Sequence, residues 1–245
     1  MRRHCVPIGL LRRDPRHYRF PLPNAVWEYK LKPIEFVILS YICYCHSHSR
    51  NDEKVRAEAV AKAVHLSVDT VKKYLSTLFD GRLITDEFSL APALQFADDR
   101  KFFTLPNEIF LLNLPPSAFT VYAYLLLIED RRTHTCHPSY NTIANQTGMA
   151  RNTVIKSIDI LLNAQLIAME HSRYFDQRGI KWKGNNLYTI LPTRQAVDAH
   201  HQRQLRQLEL DAERRRVRQQ QEAYDRRHPR MSLCALATPG PAPTT

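Results

Sequence analysis

Apolar residues recur at helical spacing in three segments of each half of the chain. Residues 33–46 and 116–129 are almost continuously apolar, which is typical of a buried helix. A short helix and a third helix with one apolar face follow in each half, and then a short apolar segment at Leu83 or Leu166 predicts a strand entering a hairpin. The apolar face of the third helix consists of Val71, Leu75 and Leu78 in the first half and of Val154, Ile158 and Leu161 in the second.

The two halves are copies of one unit. Residues 20–84 align with residues 103–167 without a gap, at a shift of 83 residues, with 15 identities in 65 positions. Mismatches often keep their character, as with Trp27 and Phe110. The unit is longer than a solenoid repeat, so two similar domains are the economical interpretation. Residues 20–84 are called repeat 1 below, and residues 103–167 repeat 2.

A short helix, a tight turn and a third helix with a polar face form the helix-turn-helix pattern, and the trailing hairpin makes it a winged helix. We therefore expect a mainly α protein with small β-hairpin wings, built from tandem winged helix-turn-helix domains and a long C-terminal helix. The predicted segments are a basic arm at 1–19, winged-helix domains at 20–100 and 101–193, a polar basic helix at 194–230 and a disordered tail at 231–245.

Three motifs carry a resemblance to a known group: FFTLPNEIF at 102–110, CHPSYNTIANQTGMARNTVIKSIDILLNAQLI at 136–167 and NNLYTIL at 185–191. With them, residues 103–190 resemble winged helix-turn-helix domains of bacterial DNA-binding proteins, including the N-terminal domains of plasmid replication initiators and regulators on conjugative elements. The resemblance implies a bacterial DNA-binding protein of a mobile element. Repeat 1 matches less well, because it has no Cys-x-Pro-Ser step and a different turn.

The net charge of +11 favours a polyanion partner, above all nucleic acid. Most of the excess lies at the two ends, with +5 in residues 1–19 and +4 in residues 194–245, whereas residues 20–102 are neutral. Composition alone therefore supports adhesion to phosphates, and base-specific contacts depend on particular residues.

The start of the third helix enters the major groove in such motifs. In repeat 2 we expect Arg151 and Asn152 to read bases, because arginine pairs with guanine and asparagine with adenine. In repeat 1 Asp69 can accept from a cytosine amine, or it can simply favour the helix N-terminus. A solvated charged face is the alternative for each of these side chains.

Contacts to the DNA backbone are expected from both third helices and from the second wing. A basic hairpin suits a minor-groove or phosphate contact, and a solvated loop is the alternative. The first wing turns at Asp86-Glu87, which phosphate repels, so repeat 1 either binds DNA more weakly or presents its surface to a protein partner. The expected backbone contacts are Thr153, Lys156, Thr70, Lys72 and Lys73 on the helices and Arg173, Arg178, Lys181 and Lys183 on the wing.

The C-terminal helix leaves three alternatives open. Its apolar residues do not sustain a heptad, so a homodimer through this helix is weakly indicated. A solvated helix and a basic arm along the DNA backbone fit the composition equally well. The apolar residues in question are Val197, Leu205, Leu208 and Val217.

A membrane span is excluded, because the longest apolar run, residues 34–45, has 12 residues and contains Glu35 and Ser40. Six glycines leave no phosphate-binding loop, and no serine, histidine and acid arrangement suggests an enzyme. An odd number of cysteines, five, without an export signal predicts a reducing cytoplasm.

Two clusters invite a zinc hypothesis, Cys43-x-Cys45-His46-x-His48 and His134-x-Cys136-His137. The repeat argues against the first, because Cys43 and Cys45 align with Leu126 and Ile128, where apolar packing meets the same need. We predict neither a metal nor a cofactor.

These observations lead to one hypothesis and two alternatives. The hypothesis is a sequence-specific double-stranded DNA-binding protein that regulates transcription of a bacterial mobile element. The first alternative is a replication initiator that binds origin repeats and recruits replication proteins, and the second is a non-enzymatic adaptor whose winged helices bind proteins.

Overall fold

The structure, a computed structural model, describes residues 18–48, 55–85, 89–91, 94, 102–175 and 181–227, with the backbone alone for residues 171–175, 181–185 and 225. Residues 1–17 of the predicted arm, the turn at Asp86-Glu87 and the predicted tail at 231–245 lie outside these residues. The chain divides into two compact units, one up to His200 and the other from His201 onward.

Repeat 1 and repeat 2 contain the same sequence of elements. In repeat 1 these are β1 (Arg19–Pro23), a 3-10 helix (Asn24–Tyr29), α1 (Pro33–His48), α2 (Ala57–Val64) and α3 (Val68–Asp80). In repeat 2 they are β2 (Phe102–Pro106), a 3-10 helix (Asn107–Leu112), α4 (Pro116–Ile128), the short strand β3 (Thr135–Cys136), α5 (Tyr140–Thr147) and α6 (Arg151–Asn163). The chain continues with β4 (Ile167–Phe175), β5 (Lys181–Ile190) and α7 (Thr193–Arg227).

The shift of 83 residues that aligns the two sequences also aligns the bounds of the second and third helices and the positions of residues with positive φ. The bounds of α2 and α3 become those of α5 and α6 when 83 is added to each number. The positive-φ residues Lys30, His65 and Arg82 have their counterparts in Asn113, Gly148 and Gln165. The two halves are therefore structural as well as sequence repeats.

The first strands of the two repeats pair with each other. β1 and β2 are antiparallel, with Phe20 opposite Leu105, Pro21 opposite Thr104 and Leu22 opposite Phe103. The sequence pattern did not predict these strands, because proline interrupts a hydrogen-bonded ladder. A two-stranded sheet tolerates Pro21, since among the described residues each of its strands has one edge without a partner strand.

A single hydrophobic core runs through both repeats. Helices α1 and α4 pack on each other, and each also packs on the third helix of its own repeat. Phe20 and Leu105 are fully buried where β1 meets β2. A fully buried side chain of this size contributes about 1.5–3 kcal/mol, so the contact between the repeats stabilises the fold.

The two wings differ in length. In repeat 2, β4 and β5 pair along most of their lengths, and β3 adds a third strand in the order β3-β5-β4. The return strand β5 runs from Lys181 to Ile190. In the first wing, of which residues 83–85 and 89–91 are described, a bridge joins Ile84 to Leu90.

The predicted long C-terminal helix is confirmed as α7. Its first turn is anchored by Ala196, which is fully buried. Farther along, Leu205, Leu208 and Val217 are 60%, 66% and 59% exposed. An intrahelical pair between Arg218 Nε and Glu222 Oε1, at 3.1 Å, adds a few tenths of a kcal/mol.

The architecture is the predicted one: mainly α, with small antiparallel hairpins attached to helix-turn-helix units and a long C-terminal helix. Among the described helices, none combines the length and the apolar character that crossing a bilayer requires.

Candidate nucleic-acid interface

The turn between α5 and α6 is fixed by backbone geometry. Gly148 ends α5 in the left-handed region, at φ 66°, and donates its N–H to the carbonyl of Ala144. Glycine adopts this conformation without strain. At the other end of α5, the Ser139 hydroxyl accepts from the N–H of Thr142 at 3.0 Å and so caps the helix. In repeat 1, His65 takes the left-handed position at φ 54°.

The outward face of α6 presents the residues that the sequence predicted. Arg151, Asn152 and Lys156 are all exposed, at the first, second and sixth positions of the helix. The opposite face is buried in the core through Val154 and Ile158. The start of α6 therefore offers a guanidinium, an amide and an ammonium to a ligand on one side of the molecule.

Arg151 has an aromatic partner that the sequence interpretation missed. Its guanidinium carbon lies 5.7 Å from the centroid of the Tyr140 ring, which is a cation–π arrangement. The Tyr140 hydroxyl in turn donates to the sulfur of Met169 in β4, at 3.7 Å. The signal in the sequence was an aromatic residue at the first position of α5, but only the packing of α5 on α6 brings it to Arg151.

The base of the second wing is buried and polar. Tyr188 is fully buried, and its hydroxyl accepts from the side-chain amide of Asn186 at 2.9 Å. Burial raises the pKa of Tyr188 well above its usual range, and the bond from Asn186 opposes part of that rise. The phenol of Tyr188 therefore stays neutral and anchors β5 in the core.

The second wing contains residues that the sequence predicts to contact the DNA backbone. Arg173 lies in β4 opposite Lys183 in β5, and Lys181 lies opposite Phe175. The side chains of these three basic residues are outside the described part of the structure, and so is Arg178 altogether.

Thr153 and Thr70, which the sequence predicts to contact the DNA backbone, are less exposed than Arg151, Asn152 and Lys156. Both are half-buried, at equivalent positions of α6 and α3. The Thr70 hydroxyl lies 2.7 Å from that of Ser67, and the Thr70 N–H donates to the Ser67 hydroxyl at 3.2 Å. Thr70 is thus part of the N-cap of α3, a role that local structure alone explains.

Repeat 1 presents a chemically different face. Asp69, Lys72 and Lys73 are exposed on α3. At the shift of 83, Lys73 matches Lys156, but Asp69 stands where repeat 2 has Asn152, and Val68 stands where it has Arg151. At equivalent positions, the two third helices share one lysine and differ at both of the positions predicted to read bases.

Two of the three cysteines of the zinc hypothesis, Cys43 and Cys136, are core residues, and Cys45 is half-buried. Cys43 and Cys136 are each 3% exposed, and burial raises the pKa of both thiols to about 12. Within the part of the chain that the structure describes, no group of three or more His, Cys, Asp or Glu side chains is arranged to hold a metal ion.

A family model described as a helix-turn-helix domain matches residues 112–167, the stretch from the end of a 3-10 helix through α4, α5 and α6 to the start of β4. Residues 112–167 are therefore similar to helix-turn-helix domains. Many such domains place their second helix in the major groove of duplex DNA.

The other comparisons add little. A search of curated proteins gave no match. Among solved structures, a possible transcriptional regulator from Methanosarcina mazei Go1 is similar at 16% identity, over 45% of this chain and 89% of that one, with a TM-score of 0.30. A TM-score this low carries no argument for the function of the chain.

Proposed function

We propose that this protein binds double-stranded DNA in a sequence-specific manner and regulates transcription, with α6 as its recognition helix. The observation that carries the proposal is the exposed triad Arg151, Asn152 and Lys156 at the start of the second helix of a helix-turn-helix domain. These three types of side chain have distinct uses on DNA, whereas a merely solvated helix face needs no such combination.

Each member of the triad has a defined partner. The Arg151 guanidinium donates two hydrogen bonds to the O6 and N7 atoms of guanine, and the Asn152 amide pairs with N6 and N7 of adenine. Lys156, one turn farther along, meets a backbone phosphate, which sets the register of the helix in the groove. Tyr140 orients Arg151 before DNA arrives, since the guanidinium already rests over the ring.

The second wing adds contacts that depend little on sequence. A hairpin with Arg173, Lys181 and Lys183 suits the backbone or the minor groove beside the α6 site. The bacterial, cytoplasmic and mobile-element setting of the proposal comes from the resemblance of residues 103–190 and from the cysteine content.

The test is selection from a randomised duplex library near physiological salt, followed by sequencing of the bound fraction. The native chain is compared with Arg151→Ala, Asn152→Ala and the control Lys32→Ala, which removes a charge outside both third helices. We expect one enriched motif, relaxed at single positions by the first two variants and unchanged by the control.

Each other outcome has a meaning. Absence of any enriched motif overturns sequence-specific binding and favours the adaptor hypothesis. A motif that Arg151→Ala and Asn152→Ala leave unchanged overturns the assignment of α6. If the motif occurs only within an origin of replication and not beside a promoter, the protein is a replication initiator and not a regulator of transcription.

A further inference from the structure

The two third helices are related by an approximate two-fold axis. In the pairing of β1 with β2, Phe20 lies opposite Leu105 and Leu22 opposite Phe103. At the shift of 83, Phe20 is equivalent to Phe103 and Leu22 to Leu105, so exchanging the repeats reproduces the same ladder. The axis passes through Pro21 and Thr104, which are equivalent to each other and lie opposite each other.

The aromatic contacts between the repeats obey the same symmetry. Trp27 meets Tyr124 with centroids 5.6 Å apart, and the equivalent pair, Phe110 and Tyr41, meets at 5.2 Å. Trp27 also meets Phe103 at 6.1 Å, and the equivalent rings of Phe110 and Phe20 are 5.7 Å apart. Reciprocal contacts of this kind define the self-complementary interface of a two-fold dimer.

The axis relates α3 to α6 as it relates the strands, because the two helices are equivalent elements. In two-fold dimers of helix-turn-helix proteins, the recognition helices read two half-sites about one turn of DNA apart, and the operator mirrors the symmetry of the protein. Here both copies belong to one chain.

We infer that a single chain binds a composite DNA site of two unlike half-sites in inverted orientation, one read by α6 and the other by α3. This inference rests on the proposed function. The half-sites are unlike because Asp69 and Val68 replace Asn152 and Arg151 at the reading positions. The α3 half-site is the one with cytosine, whose N4 amino group donates a hydrogen bond to the Asp69 carboxylate.

The distance between the half-sites is fixed by the core. β1 pairs with β2, and α1 packs on α4, so the repeats cannot separate without exposing buried aromatic rings. An insertion of about 5 base pairs moves one half-site to the opposite face of the duplex. The chain is then left with one half-site, and its affinity falls.

The decisive experiment makes the two reading surfaces alike. In the full chain, Val68→Arg and Asp69→Asn together give α3 the first two residues of α6, and the shared lysine is already in place at Lys73. The native chain, this double variant and the matched variants Asp69→Ala and Asn152→Ala go through the same library selection. Circular dichroism checks that each is folded, and native mass spectrometry counts chains per duplex.

The expected result has four parts. The native motif has two unlike halves, and Asp69→Ala changes one half while Asn152→Ala changes the other. The double variant selects an inverted repeat of the α6 half-site, again with one chain per duplex. A half-turn insertion lowers the affinity by about 5- to 150-fold, the loss expected for one good base contact or more.

Other results overturn the inference. A single half-site that only Asn152→Ala affects leaves the proposed function standing and assigns α3 to another role. If the double variant selects a direct repeat, the internal two-fold axis is not the basis of binding. The same conclusion follows if two native chains occupy one palindrome. A library without any enriched motif overturns both the inference and the proposed function.

Discussion

The ring of Phe36 lies edge-on against the ring of Phe119, its counterpart in the other repeat, with centroids 6.2 Å apart. Both rings are buried, at 2% and 3% exposure. A pair of equivalent residues in mutual contact lies close to the two-fold axis, so these two rings occupy the centre of the contact between the repeats.

We expect Phe119→Ala to lower the free energy of unfolding by about 3–5 kcal/mol, because it leaves a cavity in the shared core. Urea denaturation in a Trp182→Phe background, where Trp27 is the remaining tryptophan, followed by fluorescence and by circular dichroism measures this, since Trp27 contacts Phe36 of its own repeat and Tyr124 of the other. The two probes are expected to change together. The control is Phe79→Ala, at a site 48% exposed, which costs much less. Separate transitions for the two repeats would contradict a continuous core.

The thiols provide a second test of the core. Burial holds the pKa of Cys43 and of Cys136 at about 12, so only a minute fraction of either is thiolate at pH 8. We expect both to resist alkylation in the folded chain and to react in denaturant, as measured by mass spectrometry of the digested protein. Rapid labelling of Cys136 without denaturant would show that the sheet of the second wing does not cover it.

Tyr140 is expected to influence DNA binding without touching DNA. Tyr140→Leu removes the ring beneath Arg151, a contact worth about 0.5–1 kcal/mol, and lowers the affinity for the selected duplex about 2- to 5-fold. Tyr140→Phe keeps the ring, loses the hydroxyl with its bonds to Met169 and Tyr188, and binds like the native chain. Equal affinities for Tyr140→Leu and the native chain would mean that the ring does not orient Arg151.

Lys156 is expected to act through charge alone. Lys156→Ala lowers the affinity for all sequences alike and reduces the steepness of the plot of log K against log salt by about 0.9, the effect of one lost phosphate contact. Fluorescence anisotropy over a range of salt concentrations measures the slope. Lys32→Ala, which removes the same charge outside the third helices, is expected to leave it unchanged. If both variants shift the slope equally, the effect is one of net charge and not of a contact by Lys156.

The sequence predicted the helices of both repeats well, because each has a strong apolar pattern and the two patterns support each other. It missed β1 and β2, since Pro21 and Pro23 argue against a strand wherever its partner is unknown. The packing of one repeat on the other was likewise hidden, because the contacts that define it join residues about 80 positions apart, such as Phe36 and Phe119.

The candidate site was predicted in part for a related reason. Arg151, Asn152 and Lys156 follow from the helical spacing of α6, which a local pattern reveals. Tyr140 and the buried Asn186–Tyr188 pair depend on how α5 and the wing pack on α6. Thr70 remains a predicted phosphate contact. Its bond to Ser67 depends on the geometry of the N-cap of α3, which the sequence pattern does not reveal.

The most direct test of the central claim is a base-pair substitution scan of the selected duplex, carried out with the native chain and with Arg151→Ala at the same salt concentration. For the native chain, changing the base pair that Arg151 reads is expected to cost about 1–3 kcal/mol. For Arg151→Ala that cost disappears at this one position, while the costs at all other positions stay the same. Identical scans for the two proteins would contradict base reading by α6.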